Sequence, residues 1–153
     1  MTTEAKNPEN VALPRIGVAL DRSRFPQRTA DFRSVSLVPV LFSPIMGSPE
    51  RFVVGCLCSD RDSIHLERAN KLDRLTCLFG EQSKGAVAAI EIALDALSGS
   101  IHTDDFLIDT YRSPVSNCRL GETENREGRS LQEAGIFWMS AMSSLYAPQT
   151  VEA

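Results

Sequence analysis

The cysteine pair Cys56 and Cys58 is the first place in this chain where side chains could do chemistry. Two cysteines at this spacing can hold a metal or exchange a disulfide, but zinc needs two further Cys or His ligands, usually as a second close pair. The other cysteines, Cys77 and Cys118, stand singly and far apart. Because free cysteine is among the most often buried side chains, we predict the interior of a strand, with neither a metal nor a cofactor.

The two histidines, His65 and His102, offer little acid–base chemistry. Neither lies in an i, i+4 metal pair or beside a Gly-x-Ser-x-Gly nucleophile motif. His102 precedes Asp104 and Asp105, which could bind a divalent cation, although one loop rarely supplies a full site. The stretch GEQSKGA at residues 80–86 is not a phosphate loop, because its lysine precedes the glycine and no hydroxyl follows. We therefore predict no catalytic residues and favour a protein that is not an enzyme.

Length and charge limit the remaining classes of protein. The 153 residues suffice for one domain with its own core. A net charge of −4 gives no general attraction to nucleic acid. No stretch approaches the roughly 20 apolar residues of a membrane span, and the polar N-terminus lacks an apolar secretion core. These features predict a cytoplasmic protein with reduced thiols and no membrane contact.

Residues 1–33 are predicted to form a flexible, locally basic N-terminal arm. Such an arm on an acidic protein could contact phosphates or an acidic partner, and it would be the only route to nucleic acid. We favour the second interpretation, a solvated tail in which Ile16, Val18 and Leu20 add one short strand to the sheet. The candidate nucleic-acid contacts are Arg15, Arg22, Arg24, Arg28 and Arg33.

Residues 34–147 are predicted to form a single α+β domain with a mainly antiparallel sheet, followed by a frayed tail at 148–153. Three extended runs predict a β-meander: residues 34–42, 51–59 and 63–68. Pro39 within the first run indicates an edge position or a bulge, because proline cannot donate to a strand ladder.

Strand alternation also predicts which side chains share a face. In the second run, the residues expected on one face are Phe52, Val54, Cys56 and Cys58. In the third run, His65 and Glu67 alternate with Ile64 and Leu66, so we expect them on the opposite face, toward water.

Three helices are predicted at residues 72–79, 83–97 and 131–145, packed largely on one face of the sheet. Gly80 fits the end of the first helix, and Ser130 with Glu133 has the spacing of a capping box at the start of the third. Residues 106–111 are predicted to form a short strand and residues 121–128 a polar loop.

The second predicted helix is apolar almost all the way round, which is typical of a helix buried on two sides. Its reverse face carries Ala88, Ala89, Ile92 and Ala96. We favour burial of this face inside the domain, with binding of a partner chain as the alternative. In the third helix, Phe137 points away from the apolar stripe, so we include it among the candidate partner contacts.

Three stretches of the chain resemble a known family: residues 37–57 (LVPVLFSPIMGSPERFVVGCL), 72–80 (LDRLTCLFG) and 113–115 (SPV). The chain resembles a small uncharacterised bacterial domain, often encoded beside HipA-type kinases. Within the turn and the following strand, the matching residues are Glu50, Phe52 and Gly55. The resemblance covers about residues 35–145. It implies a component of a bacterial toxin–antitoxin or phage-defence operon, and no known reaction.

Two functional hypotheses remain. The first is a non-catalytic accessory or regulatory subunit that binds another protein chain, as a homo- or hetero-oligomer. The alternative is a nucleic-acid-associated or metal-dependent hydrolytic component that uses the basic arm and the aspartate-rich turns. A continuous exposed apolar patch would favour the first, whereas acidic turns and a histidine around one pocket would favour the alternative.

Overall fold

The computed structural model describes residues 32–149, which fold into a five-stranded antiparallel sheet with two helices. The chain divides into two units, 1–30 and 31–153, and the described residues all belong to the second. The predicted arm, except for its last two residues, and residues 150–153 lie outside the described part of the chain.

The predicted α+β class and the meander are both present. The strands, in chain order, are β1 (Arg33–Phe42), β2 (Phe52–Ser59), β3 (Ile64–Arg68), β4 (Cys118–Leu120) and β5 (Glu124–Gly128). The first three pair in sequence, while β4 and β5 both pair with the other side of β1. β1 is therefore an interior strand.

Pro39 consequently does not lie on an edge strand. β5 pairs with residues 33–37 of β1 and β4 pairs with residues 40–42, so Pro39 falls in the gap between these two strands. Its carbonyl accepts the Gly121 N–H at 2.8 Å on that side. Because the N and O of one residue in an antiparallel strand face the same neighbour, the missing proline N–H also falls in the gap. An interior strand can therefore hold this proline without losing a ladder bond.

A β-bulge interrupts the pairing of β1 with β2. Gly55 pairs with Val40, but the next pair along the ladder joins Val53 to Leu41. Val54 is therefore the extra residue, and the alternation of β2 changes phase at that point.

The bulge separates residues that simple alternation places together. Phe52 and Val54 contact the cluster on one side of the sheet, whereas Cys56 and Cys58 belong to the cluster on the other side. The prediction that all four share a face is wrong, because an inserted residue reverses the orientation of every side chain beyond it.

Two helices exceed two turns, rather than the three that the sequence predicts: α1 (Ser83–Ser100) and α2 (Leu131–Met142). The first predicted helix is a single α-helical turn, Leu75–Phe79, between two 3₁₀ turns. Gly80 ends that turn with φ of +58°, in the region that favours glycine.

The boundaries of α2 follow from two serines. At the start, Ser130 Oγ accepts the Glu133 N–H at 3.0 Å, which confirms the predicted N-cap. At the end, Ser143 is extended and its hydroxyl donates to the Val53 carbonyl at 2.6 Å. This bond holds Ser143 against β2 in an extended conformation. The helix therefore ends at Met142, before the predicted end at Leu145.

The helices pack on opposite faces of the sheet, so the prediction of one shared face is wrong. On one side, the α1 cluster includes Val38, Val40, Phe42, Val54, Leu57, Ile90, Leu94 and Leu97. On the other side, the α2 cluster includes Val35, Leu37, Cys56, Cys58, Leu131, Trp138 and Met139. β1 contributes apolar side chains to both clusters, as expected of a strand that is buried on both faces.

Two further predictions fail between the helices. Residues 106–111 contain a 3₁₀ turn, Ile108–Thr110, in place of a strand. The predicted polar loop at 121–128 contains β5, whose sequence ENREG has no apolar alternation. Its pairing with β1 depends on backbone hydrogen bonds that the side-chain pattern does not reveal.

Candidate partner-binding site

A groove of about 440 Å³ runs beside α2 and over β1 and β5. Its floor is formed by Leu37 of β1 and residues 126–128 of β5. The side chains of its helical wall are Ala134, Phe137, Trp138, Ala141 and Met142, and Phe32, Arg129 and Glu133 complete the lining. We call this feature the α2–β5 groove.

The orientation of α2 determines which side chains reach the groove. The residues of α2 that are buried are Leu131, Gly135, Trp138 and Met139. Phe137 and Met142 lie off this stripe and are 78% and 51% exposed. Both line the groove, so the two large apolar side chains form one continuous patch with it. This is the patch that favours the partner-binding hypothesis.

Hydrogen bonds and a cation–π contact hold the groove in shape. The Trp138 indole Nε1–H donates to Glu124 Oε2 at 2.7 Å, which ties α2 to β5. Arg126 lies 3.6 Å from the other oxygen of Glu124. At one end, the Arg129 guanidinium lies 5.5 Å from the centroid of the Phe32 ring. The wall is therefore apolar and the rim is charged, which is the arrangement common in protein-binding sites.

The outer face of α1 is a separate surface. Ala88 is exposed, Ala89 and Ala96 are half-buried, and Ile92 is 57% exposed. The favoured prediction, burial of this face inside the domain, is therefore not what the structure shows. Because α1 and α2 lie on opposite faces of the sheet, Phe137 does not join these residues in one site.

The candidate nucleic-acid contacts are placed only in part. Arg33 begins β1, and its Nη1 donates to Asp60 Oδ2 at 3.1 Å. Asp60 also accepts the backbone N–H groups of Asp62 and Ser63, and with Arg33 these bonds lower its pKa to about 2. The remaining candidates lie outside the described residues: Arg15, Arg22, Arg24 and Arg28.

Three of the four cysteines are buried thiols: Cys56, Cys58 and Cys118. Cys56 and Cys58 are fully buried with their Sγ atoms 4.0 Å apart, and the Cys58 hydrogen bond and burial raise the pKa of Cys56. Burial raises the pKa of Cys118 to about 11. A nucleophilic cysteine needs a lowered pKa, so the thiols of Cys56 and Cys118 stay protonated at neutral pH. Within residues 32–149, no group of three or more His, Cys, Asp or Glu side chains is placed to hold a metal ion.

A partly buried polar network lies beside the cysteine pair. His65 Nε2 lies 2.8 Å from Glu67 Oε1, and the Tyr146 hydroxyl donates to Glu67 Oε2 at 2.8 Å. Burial and this hydrogen bond raise the pKa of Tyr146 to about 12. His65 and Glu67 do lie opposite Ile64 and Leu66, as predicted, but α2 packs on that face, so both are half-buried and not fully exposed to water. The network fastens the segment after α2 to β3.

Alkylation of the native protein is expected to modify Cys77 alone. Cys77 is exposed, whereas the other three cysteines are buried. A brief iodoacetamide treatment followed by intact-mass spectrometry should show one adduct, and treatment in urea should show four because all four thiols are free. Rapid native modification of Cys58 would contradict the packing of α2 over it.

Comparison with known proteins gives no relative for this site. Neither a family model, nor a curated protein, nor a solved structure matches the chain. Among the described residues, none of the helices has the length and apolar character needed to cross a membrane. The resemblance noted from the sequence therefore stays a prediction.

Proposed function

We propose that this protein is a non-catalytic accessory subunit that binds an amphipathic helix of another protein chain in the α2–β5 groove. The observation that carries the proposal is Phe137, an aromatic side chain 78% exposed at the edge of an apolar groove. One exposed Phe is ordinary on a protein surface. Phe137, however, forms one apolar patch with Met142 and the wall of the groove. An aromatic side chain in such a patch is typical of the residues that contribute most to the binding of a partner.

The position of α2 supports a helix as the occupant. α2 packs mainly on β2 and β3, so it lies off-centre on its face of the sheet, and the groove occupies the place beside it over β1 and β5. Two strands span roughly 10 Å, which is about the diameter of a helix with its side chains. A helix placed there would lie alongside α2 at the usual spacing of about 8–10 Å. Its apolar side chains would meet Phe137 and Met142, as in other helix-in-groove complexes.

Charge at the rim adds to the expected chemistry of the partner. Arg126, Glu127 and Arg129 line the β5 side of the groove, so this side keeps one excess positive charge, while Glu133 lines the α2 side. We expect the polar face of the bound helix to carry acidic side chains toward β5. Rim charges of this kind set the rate and specificity of association more than its affinity.

We also propose a cytoplasmic location and a bacterial operon that encodes the partner. Four free cysteines are typical of a reducing compartment, which supports a cytoplasmic location. The resemblance supports a bacterial operon of the toxin–antitoxin or phage-defence type, in which the partner would be the product of a neighbouring gene. The nucleic-acid-associated or hydrolytic role stays the alternative, and the α1 outer face stays a second candidate contact surface.

Phe137→Glu is expected to weaken the complex with a neighbouring gene product by about 30-fold or more, the effect of losing a 2 kcal/mol hot spot. A carboxylate in an apolar contact must be desolvated without a counter-charge. Co-expression, pull-down and titration of the captured partner measure the loss. The matched control is Ile92→Glu, which places the same charge at an exposed site on α1.

Three results would contradict parts of this proposal. Equal binding by wild type and Phe137→Glu would remove the groove as the site. Loss of binding only in Ile92→Glu would move the site to the α1 outer face. A wild-type dimer that Phe137→Glu dissociates would make a second copy of this chain the occupant. Both variants should melt like the wild type, because both side chains are exposed.

A further inference from the structure

A second recess, of about 380 Å³, lies between the turn joining β1 to β2 and the segment before β4. Its polar lining consists of Ser43, Ser48, Arg51, Ser116, Asn117 and Arg119. None of the described lining residues carries a carboxylate, although the chain as a whole has a net charge of −4. The recess is therefore a local concentration of hydrogen-bond donors and positive charge.

The two arginines of the recess are available to a ligand in different ways. Arg51 Nη1 donates to the carbonyls of Ser48 and Glu50, which fixes the guanidinium at the mouth of the turn. Its Nε and Nη2 make no hydrogen bond within the described part of the chain. Arg119 of β4 has no ion pair or side-chain hydrogen bond to any described residue.

Arg119 belongs to the minority of described arginines that lack a partner. Most are held by a carboxylate, a carbonyl or an aromatic ring. Those without such a contact to a described residue are Arg61, Arg112 and Arg119. Arg112 lines an adjoining recess of about 600 Å³ that shares Ser116 and Arg119 with the first, and that also contains Asp109 and Glu122. Two of the three arginines without partners, Arg112 and Arg119, therefore line this adjoining recess.

We propose that Arg51 and Arg119 bind the phosphate group of a ligand in the recess between the β1–β2 turn and β4. The planar guanidinium donates two parallel N–H bonds that match the oxygens of a phosphate. The serine hydroxyls and the Asn117 amide supply neutral donors for the remaining oxygens. No carboxylate lines this recess, and Asp109 and Glu122 line only the adjoining one. This site is separate from the α2–β5 groove and does not depend on the function proposed for it.

Titration of the full-length protein with inorganic phosphate tests the site. We expect saturable binding, followed by chemical-shift changes at the Ser116–Arg119 amides, and an increase in Kd of about tenfold or more for Arg119→Gln. Arg61→Gln is the matched control, because it removes the same charge from another exposed arginine that lines a different recess. Its Kd should stay within about twofold of the wild type, because a distant surface charge is screened by salt.

Two further probes distinguish the source of the phosphate. Tighter binding of glycerol 3-phosphate than of inorganic phosphate, lost in Arg119→Gln, would assign the site to a small phosphate ester. Tighter binding of a single-stranded oligonucleotide, with the same dependence on Arg119, would assign it to a nucleic-acid backbone. Absence of binding by all three probes, or equal weakening by Arg119→Gln and Arg61→Gln, would overturn the proposal.

Discussion

Replacing Gly135 with alanine is expected to lower the free energy of unfolding by about 1–3 kcal/mol, the usual cost of overpacking. The new Cβ would lie 2.8 Å from Cys58 Sγ and 3.0 Å from Glu67 Cβ, and neither atom can move far, because α2 packs tightly onto β2 and β3. Urea denaturation measures the change. This effect opposes helix propensity, which by itself favours alanine over glycine by about 1 kcal/mol.

Gly85→Ala is the matched control on the other helix. Gly85 lies in α1, and no heavy atom lies within 4 Å of the position that a Cβ would take. Only the difference in helix propensity then applies, so Gly85→Ala should raise the free energy of unfolding by up to about 1 kcal/mol. If both variants were stabilised equally, the close approach of α2 to the sheet would be wrong.

Met139→Ala is expected to lower the free energy of unfolding by about 2–5 kcal/mol, as for other large-to-small changes in a core. Met139 is fully buried against the sheet, so its loss leaves a cavity that the neighbours cannot fill. Met142→Ala on the same helix should change stability by only about 0.5 kcal/mol, because Met142 is 51% exposed. Thermal and urea unfolding of both variants measure the difference.

The same pair of variants also tests the groove. Met142 lines the α2–β5 groove, so Met142→Ala should weaken partner binding while the fold stays intact. A large loss of stability in Met142→Ala would mean that its side chain is part of the core. Unchanged binding would mean that the partner does not reach this end of the groove.

Local patterns predicted the elements that depend on neighbours in sequence. The 3.6-residue period located α1, and the Ser130 cap located the start of α2. The three strands of the meander also match the extended runs of the sequence. These features depend on residues within one or two turns of each other, which a sequence displays directly.

Features that depend on distant residues were missed. The bulge at Val54 arises from the pairing of β2 with β1, and it moved Cys56 and Cys58 to the face that α2 covers. The polar strand β5 is stabilised by its pairing with β1, not by its own side chains. The placement of α1 and α2 on opposite faces depends on β1, which contributes apolar side chains to both clusters and against which each helix packs from its own side of the sheet.

The candidate site was predicted in part. Helical phase alone identified Phe137 as pointing away from the core, whereas the face of α1 that carries Ala88 and Ile92 was predicted to be buried and is exposed. The groove itself needs β5, β1 and α2 together, so no spacing within one element predicts it. The network of Glu67 with Tyr146 joins residues far apart in sequence and carries no local signal either.

Fluorescence of Trp138 is the most direct test of the central claim that a partner helix occupies the α2–β5 groove. Trp138 is the only tryptophan of the chain, it lines the groove, and its indole donates to Glu124. Titration with a tryptophan-free helical segment of the captured partner should change its emission and saturate at the Kd of the complex. Phe137→Glu should show no such change. The claim would be contradicted by a complex that forms at full affinity in both proteins while the emission of Trp138 stays constant.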